Sequence, residues 1–595
     1  MKRPVVVLAL AAVCLASGLA AILIRARPNA ERPVSAARFV PAETLLFAEC
    51  PDLPATAARW RETDLCRMAQ EPEVQAFLAR PPAALDGGGG WLAVLRNLAR
   101  SHPRQAFLAV ADLTNNMPHA VGGLALNGGR AEMETLLAQA RAQAQSASPH
   151  GRLERLEYGG CQIESFRADG VTLAGAFAKD WYFVANDVEL LKATLDRFAG
   201  KLATSLEAAP AYRQSGRFLP ARSDFRFFAQ PGALPERLLA HWNVPAQEAL
   251  PGGNAATPAL RAVALASRFE GRRMRDTLFL YRPGRTPQPA LNGKTLGLTT
   301  PDTLFYGALA PRIAAEQPPR GNPRQPPPSA IPVEFLQAAA LHPPPATLAQ
   351  FQSAFGPEHA LLLDWPEKMG QPGLFLACEI RNPAMARQFV ESAFRAWTRS
   401  EDAGVSLWTF TGNGPEQSRF HPAVALTARH FLAGLSPESL QPFASLANAP
   451  RQGGATLQQS PAFLGAMAAV PSPQTAVAYL NAQPLFERLY GILRPAALLW
   501  GNGMLPPGTA LDFTKLPSAG TIARHLSPLS LSAVQNEAGI LVESAGPVTF
   551  LELGAGLGAA VLSTALPSGT SSGLGAGAPQ RPLAAPLSAP APDAP

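Results

Sequence analysis

The chain has 595 residues, of which 47% are hydrophobic and only 16% are charged. A single hydrophobic core usually stops growing at about 250–300 residues, so this length predicts more than one core. The net charge of +7 is small for the length, and no run of Lys and Arg is interleaved with aromatic residues. Composition and charge therefore give no support to nucleic-acid binding.

The N-terminal residues 1–28 have the pattern of a membrane anchor. Two basic residues precede an uncharged run over 4–24, and two arginines follow it. A helix needs about 20 apolar residues to cross a bilayer, whereas the apolar core of a cleavable signal has about 7–15. The segment from Val5 to Ile24 is therefore predicted to be a retained transmembrane helix, with a removed signal peptide as the alternative. The predicted location is the cell envelope, anchored in the inner membrane with the bulk of the chain periplasmic or otherwise extracytoplasmic.

Two stretches of the chain are nearly the same. The stretch "PAETLLFAECPDLP" at 41–54 is echoed by "TPDTLFYGALAPRI" at 300–313. Further echoes follow in the same order, offset by about 250 residues, which is typical of a large duplicated unit and not of a short repeat. The pattern predicts one module present twice, as copy 1 over 39–284 and copy 2 over 299–548, joined by a linker at 285–298.

The elements expected within each copy repeat as well. A strand, a turn and a second strand begin at Ala106 and again at Ala360, and a helix with an apolar stripe follows each pair. A later hairpin runs into a helix whose N-cap is Asp187 in copy 1 and Ser436 in copy 2. The pattern predicts an α+β fold: two tandem copies of a mainly antiparallel sheet-plus-helices module, with an N-terminal transmembrane helix and a disordered C-terminal tail.

Three segments lie outside this repeated pattern. A proline-rich insert at 317–345 is predicted to be a solvated loop. Residues 549–566 form an apolar run just long enough to be a second span, but Glu552 and the glycine content favour the single N-terminal anchor. The tail at 567–595 has few large apolar residues and is predicted to be disordered.

Two motifs match nucleotide-binding loops only in part. The stretch "LNGKT" at 291–295 resembles the end of a phosphate loop, but Gln288 stands where that pattern requires glycine. The stretch "GAGLGA" at 554–559 resembles a dinucleotide motif, but only the predicted disordered tail follows it, whereas such a site needs a βαβ unit. No cofactor is expected from either motif.

The histidines and cysteines show no metal-binding or redox motif. No HExxH or CxxC spacing is present. His421 and His430 are a weak candidate pair across a hairpin, because His430 aligns with a tryptophan of copy 1, which indicates a packing position. Cys378 lies in an apolar strand pattern without a sign of activation. Cys50 and Cys66 are close enough in sequence for a disulfide, but buried free thiols are the favoured interpretation.

Five acidic positions are shared by the two copies. They mostly lie at predicted turns, caps or exposed faces, where carboxylates cap helices and pair with basic side chains. No catalytic pair of carboxylates is therefore assigned to them. The shared positions are Glu43/Asp302, Glu189/Glu438, Glu236/Glu487, Glu270/Glu537 and Asp276/Glu543.

The entry to copy 1 resembles a known family. After the anchor comes "FVPAETLLFAECPDLPATAARWRETDLCRMAQEPEVQAFL" at 39–78, which contains a proline, an acidic residue, Thr-Leu, a strand, a helix and then "EPEVQAFL". This is similar to uncharacterised bacterial envelope proteins of the domain of unknown function 3352 type. The resemblance implies an exported location and brings no catalytic residues.

These patterns predict a non-catalytic, exported, membrane-anchored envelope protein that acts by binding or scaffolding. Its partners are then the membrane, through the N-terminal helix, and a protein or an apolar ligand. Two alternatives stay open, a carrier or chaperone for an apolar ligand and a hydrolase whose site has no recognised motif. No catalytic, cofactor-binding or metal-binding residue is assigned.

Overall fold

The structure of the chain is a computed structural model. It describes residues 34–78, 101–114, 117–168, 170–231, 260–284, 288, 290–310, 346–365, 372–402, 404–410, 421–448, 456–472, 474–504 and 513–554. The chain divides into two units, Met1–Leu551 and Glu552–Pro595, and every element named below lies in the first. The predicted anchor, the proline-rich insert, the tail and most of the apolar run at 549–566 lie outside the described residues.

The described residues form twenty β-strands that hydrogen-bond into one sheet. The first ten strands are β1 (Leu46–Cys50), β2 (Pro103–Thr114), β3 (Met117–Leu126), β4 (Arg152–Tyr158), β5 (Cys161–Ala168), β6 (Val171–Ala178), β7 (Trp181–Ala185), β8 (Phe225–Ala229), β9 (Ala262–Glu270) and β10 (Arg273–Tyr281). The other ten are β11 (Thr303–Leu309), β12 (Phe355–Asp364), β13 (Gly373–Ile380), β14 (Thr398–Asp402), β15 (Val405–Thr409), β16 (Ala423–Leu426), β17 (His430–Gly434), β18 (Ala476–Leu480), β19 (Leu529–Gln535) and β20 (Gly539–Gly546).

Strand neighbours follow the same order in the two halves of the sheet, and every pairing is antiparallel. The first ten strands lie in the order β4-β5-β6-β7-β3-β2-β1-β8-β9-β10. The other ten lie in the order β14-β15-β16-β17-β13-β12-β11-β18-β19-β20. β10 then pairs with β20 from Met274↔Gly546 to Tyr281↔Gly539. The sheet therefore runs without a break from β4 to β14.

This continuous sheet corrects the predicted fold of two tandem α+β modules. The prediction was wrong because the last strand of each half would otherwise present a row of unpaired backbone N–H and C=O groups, and the β10–β20 pairing satisfies both rows. The predicted transmembrane helix is not part of the described structure: no helix in the described ranges is both long and apolar enough to cross a membrane. Duplication of one unit stays a prediction.

The described residues also form twelve α-helices and five short 3₁₀ helices. The α-helices are α1 (Leu53–Glu62), α2 (Asp64–Ala69), α3 (Pro72–Leu78), α4 (Arg130–Ala147), α5 (Val188–Phe198), α6 (Pro210–Gly216), α7 (Ala346–Ala354), α8 (Pro383–Ala393), α9 (Pro437–Asn448), α10 (Pro461–Met467), α11 (Ala482–Met504) and α12 (Ala519–Ala523). The 3₁₀ helices are Ala36–Phe39, Leu206–Ala208, Lys294–Leu298, Leu457–Gln459 and Phe513–Lys515.

Both predicted helix caps are confirmed. Asp187 Oδ1 accepts a hydrogen bond from the backbone N–H of Leu190 at 2.7 Å, at the start of α5. Ser436 Oγ accepts one from the backbone N–H of Ser439 at 3.2 Å, at the start of α9. Each bond satisfies a backbone donor that has no partner within its own helix.

Helices cover one face of the sheet in both halves. Phe47 and Phe228 are buried in the cluster that packs on α5, and Tyr306 and Tyr479 are buried in the cluster that packs on α9. Direct cross-strand partners point to the same side of a sheet. The registers from β1 to β11 place both clusters on one side, which we call the covered face.

The opposite side is only partly covered, and we call it the open face. Successive side chains of a strand point to opposite faces, so on β10 Phe279 is fully buried on the covered face while Leu278 is half-buried on the open face. Nine apolar side chains on nine neighbouring strands are direct partners there and stay partly exposed. This open-face row is Leu108, Ala48, Phe227, Leu265, Leu278, Val542, Ala533, Ala476 and Leu309.

Candidate functional site

The partial phosphate-loop motif binds a carboxylate of the chain itself. Glu358, on β12, is only 1% exposed. Its carboxylate accepts hydrogen bonds from the backbone N–H groups of Asn292 at 2.9 Å, Gly293 at 2.8 Å and Thr295 at 3.0 Å. The Thr295 hydroxyl donates a fourth bond to it at 2.6 Å.

The geometry of this loop explains why it looked like an anion site. Gly293 has a φ of 68°, in the left-handed region that favours glycine, and this turns consecutive N–H groups toward one point. Since Glu358 occupies that point, the motif ties the segment before β11 to β12. The loop therefore has a structural role: it holds its own segment against β12.

The two candidate metal-binding histidines do not meet. The β16–β17 register pairs Leu426 with Phe431 beside the turn, so His430 lies at the turn end of the hairpin. His421 precedes β16 at the other end. Burial lowers the pKa of His430, which disfavours its charged form. Within the described ranges, no group of three His, Cys, Asp or Glu side chains is placed to hold a metal ion.

The four described cysteines, Cys50, Cys66, Cys161 and Cys378, are free thiols, as the sequence analysis favoured for Cys50 and Cys66. Cys50 is buried beneath α1, where its thiol donates to Thr56 Oγ1 at 3.7 Å. Burial raises the pKa of Cys50 to about 12 and raises that of Cys378 as well. Thiols with such pKa values stay protonated at neutral pH and are poor nucleophiles.

The shared acidic positions form no carboxylate pair among the described residues. Asp276 and Glu543 lie on neighbouring strands, but the register pairs Asp276 with Ser544 and Glu543 with Thr277, so the two carboxylates face opposite sides of the sheet. Glu236 lies outside the described residues. The exposed members are Glu43, Glu189, Glu270, Asp302, Glu438, Glu487 and Glu537.

Asp276 is a buried carboxylate, only 1% exposed, at the junction of the two halves. One of its oxygens accepts a hydrogen bond from the Thr549 hydroxyl, and the other, Oδ1, has no hydrogen-bond partner. Burial raises the pKa of Asp276, although the hydroxyls of Ser267 and Thr549 lower it in part. This arrangement favours a protonated, structural side chain.

A small apolar pocket lies on the open face, where β1, β2, β8 and β9 are neighbours. Its volume is about 140 Å³, and Cys50, Phe225, Phe227 and Leu265 are among its lining residues. A dry cavity of about 150 Å³ accepts a group the size of benzene. The pocket therefore has the size and the polarity to hold part of an apolar ligand.

Helix α11 carries a set of exposed apolar side chains. Leu489 is 41% exposed, Ile492 and Leu493 are each 59% exposed, and Leu499 is 76% exposed. Ile492, Leu493 and Leu499 follow Leu489 by three, four and ten residues, and this spacing places all four on one side of the helix. We call these four residues the α11 apolar side. Leu498 is also exposed, at 39%, on the other side of the helix.

The first half of α11 is attached to the folded unit, and the residues at its middle are exposed. The backbone N–H of Asn481, just before α11, donates to Leu304 O at 2.7 Å, and the Tyr490 hydroxyl donates to Pro517 O. All five residues over 491–495 are exposed. A surface helix normally turns its apolar side toward the core, so this exposure is the feature that sequence pattern alone missed.

Comparison with known proteins does not identify the chain. No family model matches it, and no curated protein matches it. Two crystal forms of a protein named TP0453 are similar to part of this chain. Form III is 11% identical, covers 44% of this chain and 83% of TP0453, and has a TM-score of 0.25. Form I is 10% identical, covers 43% of this chain and 81% of TP0453, and has a TM-score of 0.24. Both scores are too low to assign a fold or a function. The resemblance to the domain of unknown function 3352 proteins stays a prediction.

Proposed function

We propose that the protein is a non-catalytic, membrane-anchored envelope protein that acts by binding, with the α11 apolar side as its binding surface. The observation that supports this proposal is the exposure of Leu489, Ile492, Leu493 and Leu499, which reaches 76% at Leu499. Contiguous exposed apolar side chains on a folded chain are typical of interaction sites, because their burial against a partner removes apolar surface from water.

Protection of this surface in cells tests the proposal. In a background of Cys14→Ser and Cys161→Ser, Ile492→Cys should react with a maleimide at least about tenfold more slowly in native envelopes than in the purified protein, because a partner covers it. Glu487→Cys, on the opposite side of α11, is the matched control and should react equally fast in both. Equal rates for Ile492→Cys in both samples would refute the proposal.

Fractionation tests the anchor. The uncharged run over 4–24 is long enough to span a bilayer. The full-length chain should stay in the membrane pellet through washes with carbonate and with high salt. A soluble protein that begins after Ile24 would contradict the anchor and leave the binding surface to be tested separately.

A carrier for an apolar ligand is the second candidate, and the open face favours it. The open-face row crosses nine strands, roughly 40 Å at the usual strand spacing. Three of its members, Ala48, Phe227 and Leu265, line the pocket of about 140 Å³. A fluorescent fatty acid should bind saturably, and Leu265→Gln should weaken that binding about tenfold. Leu499→Gln on α11 is the control and should leave the affinity unchanged. Absence of saturable binding would exclude this candidate.

A further inference from the structure

We propose that strand β4 is an interaction surface for a second copy of this chain, with the two β4 strands paired antiparallel about a two-fold axis. This inference goes beyond the proposed function and does not involve α11. Three observations support it: a free strand edge, an exposed leucine at the middle of that edge, and a pattern of charges that is complementary to itself.

The first observation is the free edge. Among the described strands, β4 pairs only with β5, and five of its seven residues are exposed. A strand at an edge presents backbone N–H and C=O groups that can pair with another chain. The β4–β5 hairpin closes with Tyr158 opposite Cys161 around a two-residue turn. Tyr158 and Leu156 therefore direct their backbone groups toward β5, whereas Arg155 and Glu157 direct theirs away from it.

The second observation is the exposure of Leu156. This side chain lies on the covered face, directly opposite Ile163 of β5, which is only 1% exposed. Leu156 itself is 45% exposed, because no described element lies beyond β4 on this face. If the axis passes between Leu156 and its copy, each leucine covers the other, and apolar surface is removed from water on both chains.

The third observation is the order of charges beside Leu156. Antiparallel pairing about Leu156 places Arg155 of each copy opposite Glu157 of the other, so two pairs of opposite charge form on the open face. The backbone groups of these residues point outward, so each pair can also exchange two backbone hydrogen bonds. Arg155 contacts Glu164 at 3.1 Å, but Arg141 contacts the same carboxylate at 2.9 Å. One negative charge thus faces two guanidinium groups, and Arg155 can accept a second partner.

The charges also select the register. Charged side chains on an edge strand exclude most partners. A slip of two residues in one direction would place Arg155 opposite Arg155, and a slip in the other direction would place Glu157 opposite Glu157. Like charges directly opposite one another destabilise a strand pair. A slip of one residue would bring the covered face of one copy against the open face of the other.

The other end of the sheet fits a second copy less well. Strand β14 would place Ser400 at the axis in the same arrangement, so no apolar side chain would be covered there. A β4–β14 pair that matched Arg155 with Glu401 would bring Glu154 opposite Asp402, two like charges. Pairing of two β4 strands combines opposite charges with apolar burial, and it closes after two copies.

Disulfide cross-linking of the purified full-length chain tests this inference. In a background of Cys14→Ser and Cys161→Ser, Leu156→Cys should give a disulfide-linked dimer on mild oxidation, because direct antiparallel partners have Cα atoms about 4.5–5.5 Å apart. Leu153→Cys, on the same strand, is the matched control. It should not cross-link, because its two copies would be offset by six residues, roughly 20 Å. Non-reducing electrophoresis measures both yields.

Charge reversal provides a second reading. Arg155→Glu alone, or Glu157→Arg alone, should lower the dimer yield of Leu156→Cys at least about fivefold, because each change places like charges opposite one another in both pairs. The two changes together should restore the yield to within about twofold, because opposite charges face each other again. Both positions are exposed, so the melting temperature should stay the same. A double variant that fails to restore the yield would overturn the inference.

The remaining outcomes also decide against the pairing. Equal dimer yields from Leu156→Cys and Leu153→Cys would indicate random collision. A disulfide between Leu156→Cys and Ser400→Cys in a mixed sample, formed in higher yield than the Leu156→Cys dimer, would indicate pairing of β4 with β14. A chain that gives no dimer refutes the inference as well. None of these results involves α11, so the proposed function stands or fails by its own test.

Discussion

The stability of the junction between β10 and β20 depends on pH through Asp276. Its burial raises its pKa above the ordinary value of 3.8. The folded chain therefore holds this proton at pH values where the unfolded chain has lost it. The stability that the group contributes is fully present below pH 3.8 and is lost as the pH rises through the folded pKa.

Replacing Asp276 by asparagine should remove the loss of stability that accompanies a rise in pH. At pH 8 Asp276→Asn should raise the free energy of unfolding by on the order of 1 kcal/mol, because the neutral amide places no charge in the buried site. Near pH 3.5, where the aspartate is protonated in the folded chain, the two proteins should differ little. Urea denaturation at both pH values measures the effect. The control is Glu537→Gln at an exposed position, and its free energy of unfolding should stay within about 0.5 kcal/mol of that of the parent protein. A destabilised Asp276→Asn at pH 8 would contradict this account.

Glu358 stabilises the loop before β11 through hydrogen bonds to its charged carboxylate. Glu358→Gln should lower the free energy of unfolding by about 2–3 kcal/mol, because the amide presents N–H groups where four donors converge. Glu379→Gln is the matched control, since it removes the ion pair with Lys294, worth about 0–1 kcal/mol. Denaturant titration of both variants measures the difference. Equal losses would show that the loop does not depend on the Glu358 charge.

At the scale of elements, the segment around α2 and α3 contacts α12, although the contacting residues lie up to 454 positions apart in sequence. Glu71 accepts from Arg524 and lies 2.7 Å from His525 Nε2, and Glu73 accepts from the backbone N–H of Ser518 at 2.6 Å. The hydrogen bond with His525 and, after it, the charge of Arg524 lower the pKa of Glu71. A lowered pKa means that this contribution is present above the ordinary value of 4.5 and is lost as the pH falls through the folded pKa.

Removal of the Glu71 charge should loosen α12. In Glu71→Gln, amide hydrogen exchange over 513–526 should become severalfold faster, because the segment opens more often once its ion pair is lost. Glu62→Gln, an exposed change on α1, should leave exchange in that segment unaltered. As the pH falls below 4.5, the protection of the same segment in the parent protein, relative to the intrinsic exchange rate, should fall as well. Unchanged exchange in Glu71→Gln would show that other contacts hold α12.

At the scale of the whole molecule, the junction of β10 and β20 decides whether the protein has one sheet or two. Leu278→Cys and Val542→Cys together should form a disulfide on mild oxidation. Antiparallel partners have Cα atoms about 4.5–5.5 Å apart, within the range of a disulfide. Leu278→Cys with Ala533→Cys, one strand farther away, should not. Non-reducing mass spectrometry distinguishes the two. Failure of the first pair would argue for separate sheets.

Much of the local structure follows from the sequence. The hairpins near Ala106 and Ala360 and the caps at Asp187 and Ser436 depend on residues two to four positions apart. The buried thiols of Cys50 and Cys378 likewise follow from apolar strand patterns. These features were predictable because alternation, helical spacing and capping act within a few residues.

The continuous sheet, the carboxylate-filled loop and the exposed side of α11 were decided by tertiary structure. Thr277 and Glu543 are 266 positions apart, and Glu358 lies 63 positions after Thr295. No local pattern specifies which strand edges meet, or which acidic side chain enters a loop. The leucines of α11 have the same spacing that a buried helix shows, so only their exposure in the folded chain distinguishes them from core residues. Periodicity determines which side of an element is apolar, whereas contacts between distant parts of the chain determine what that side meets.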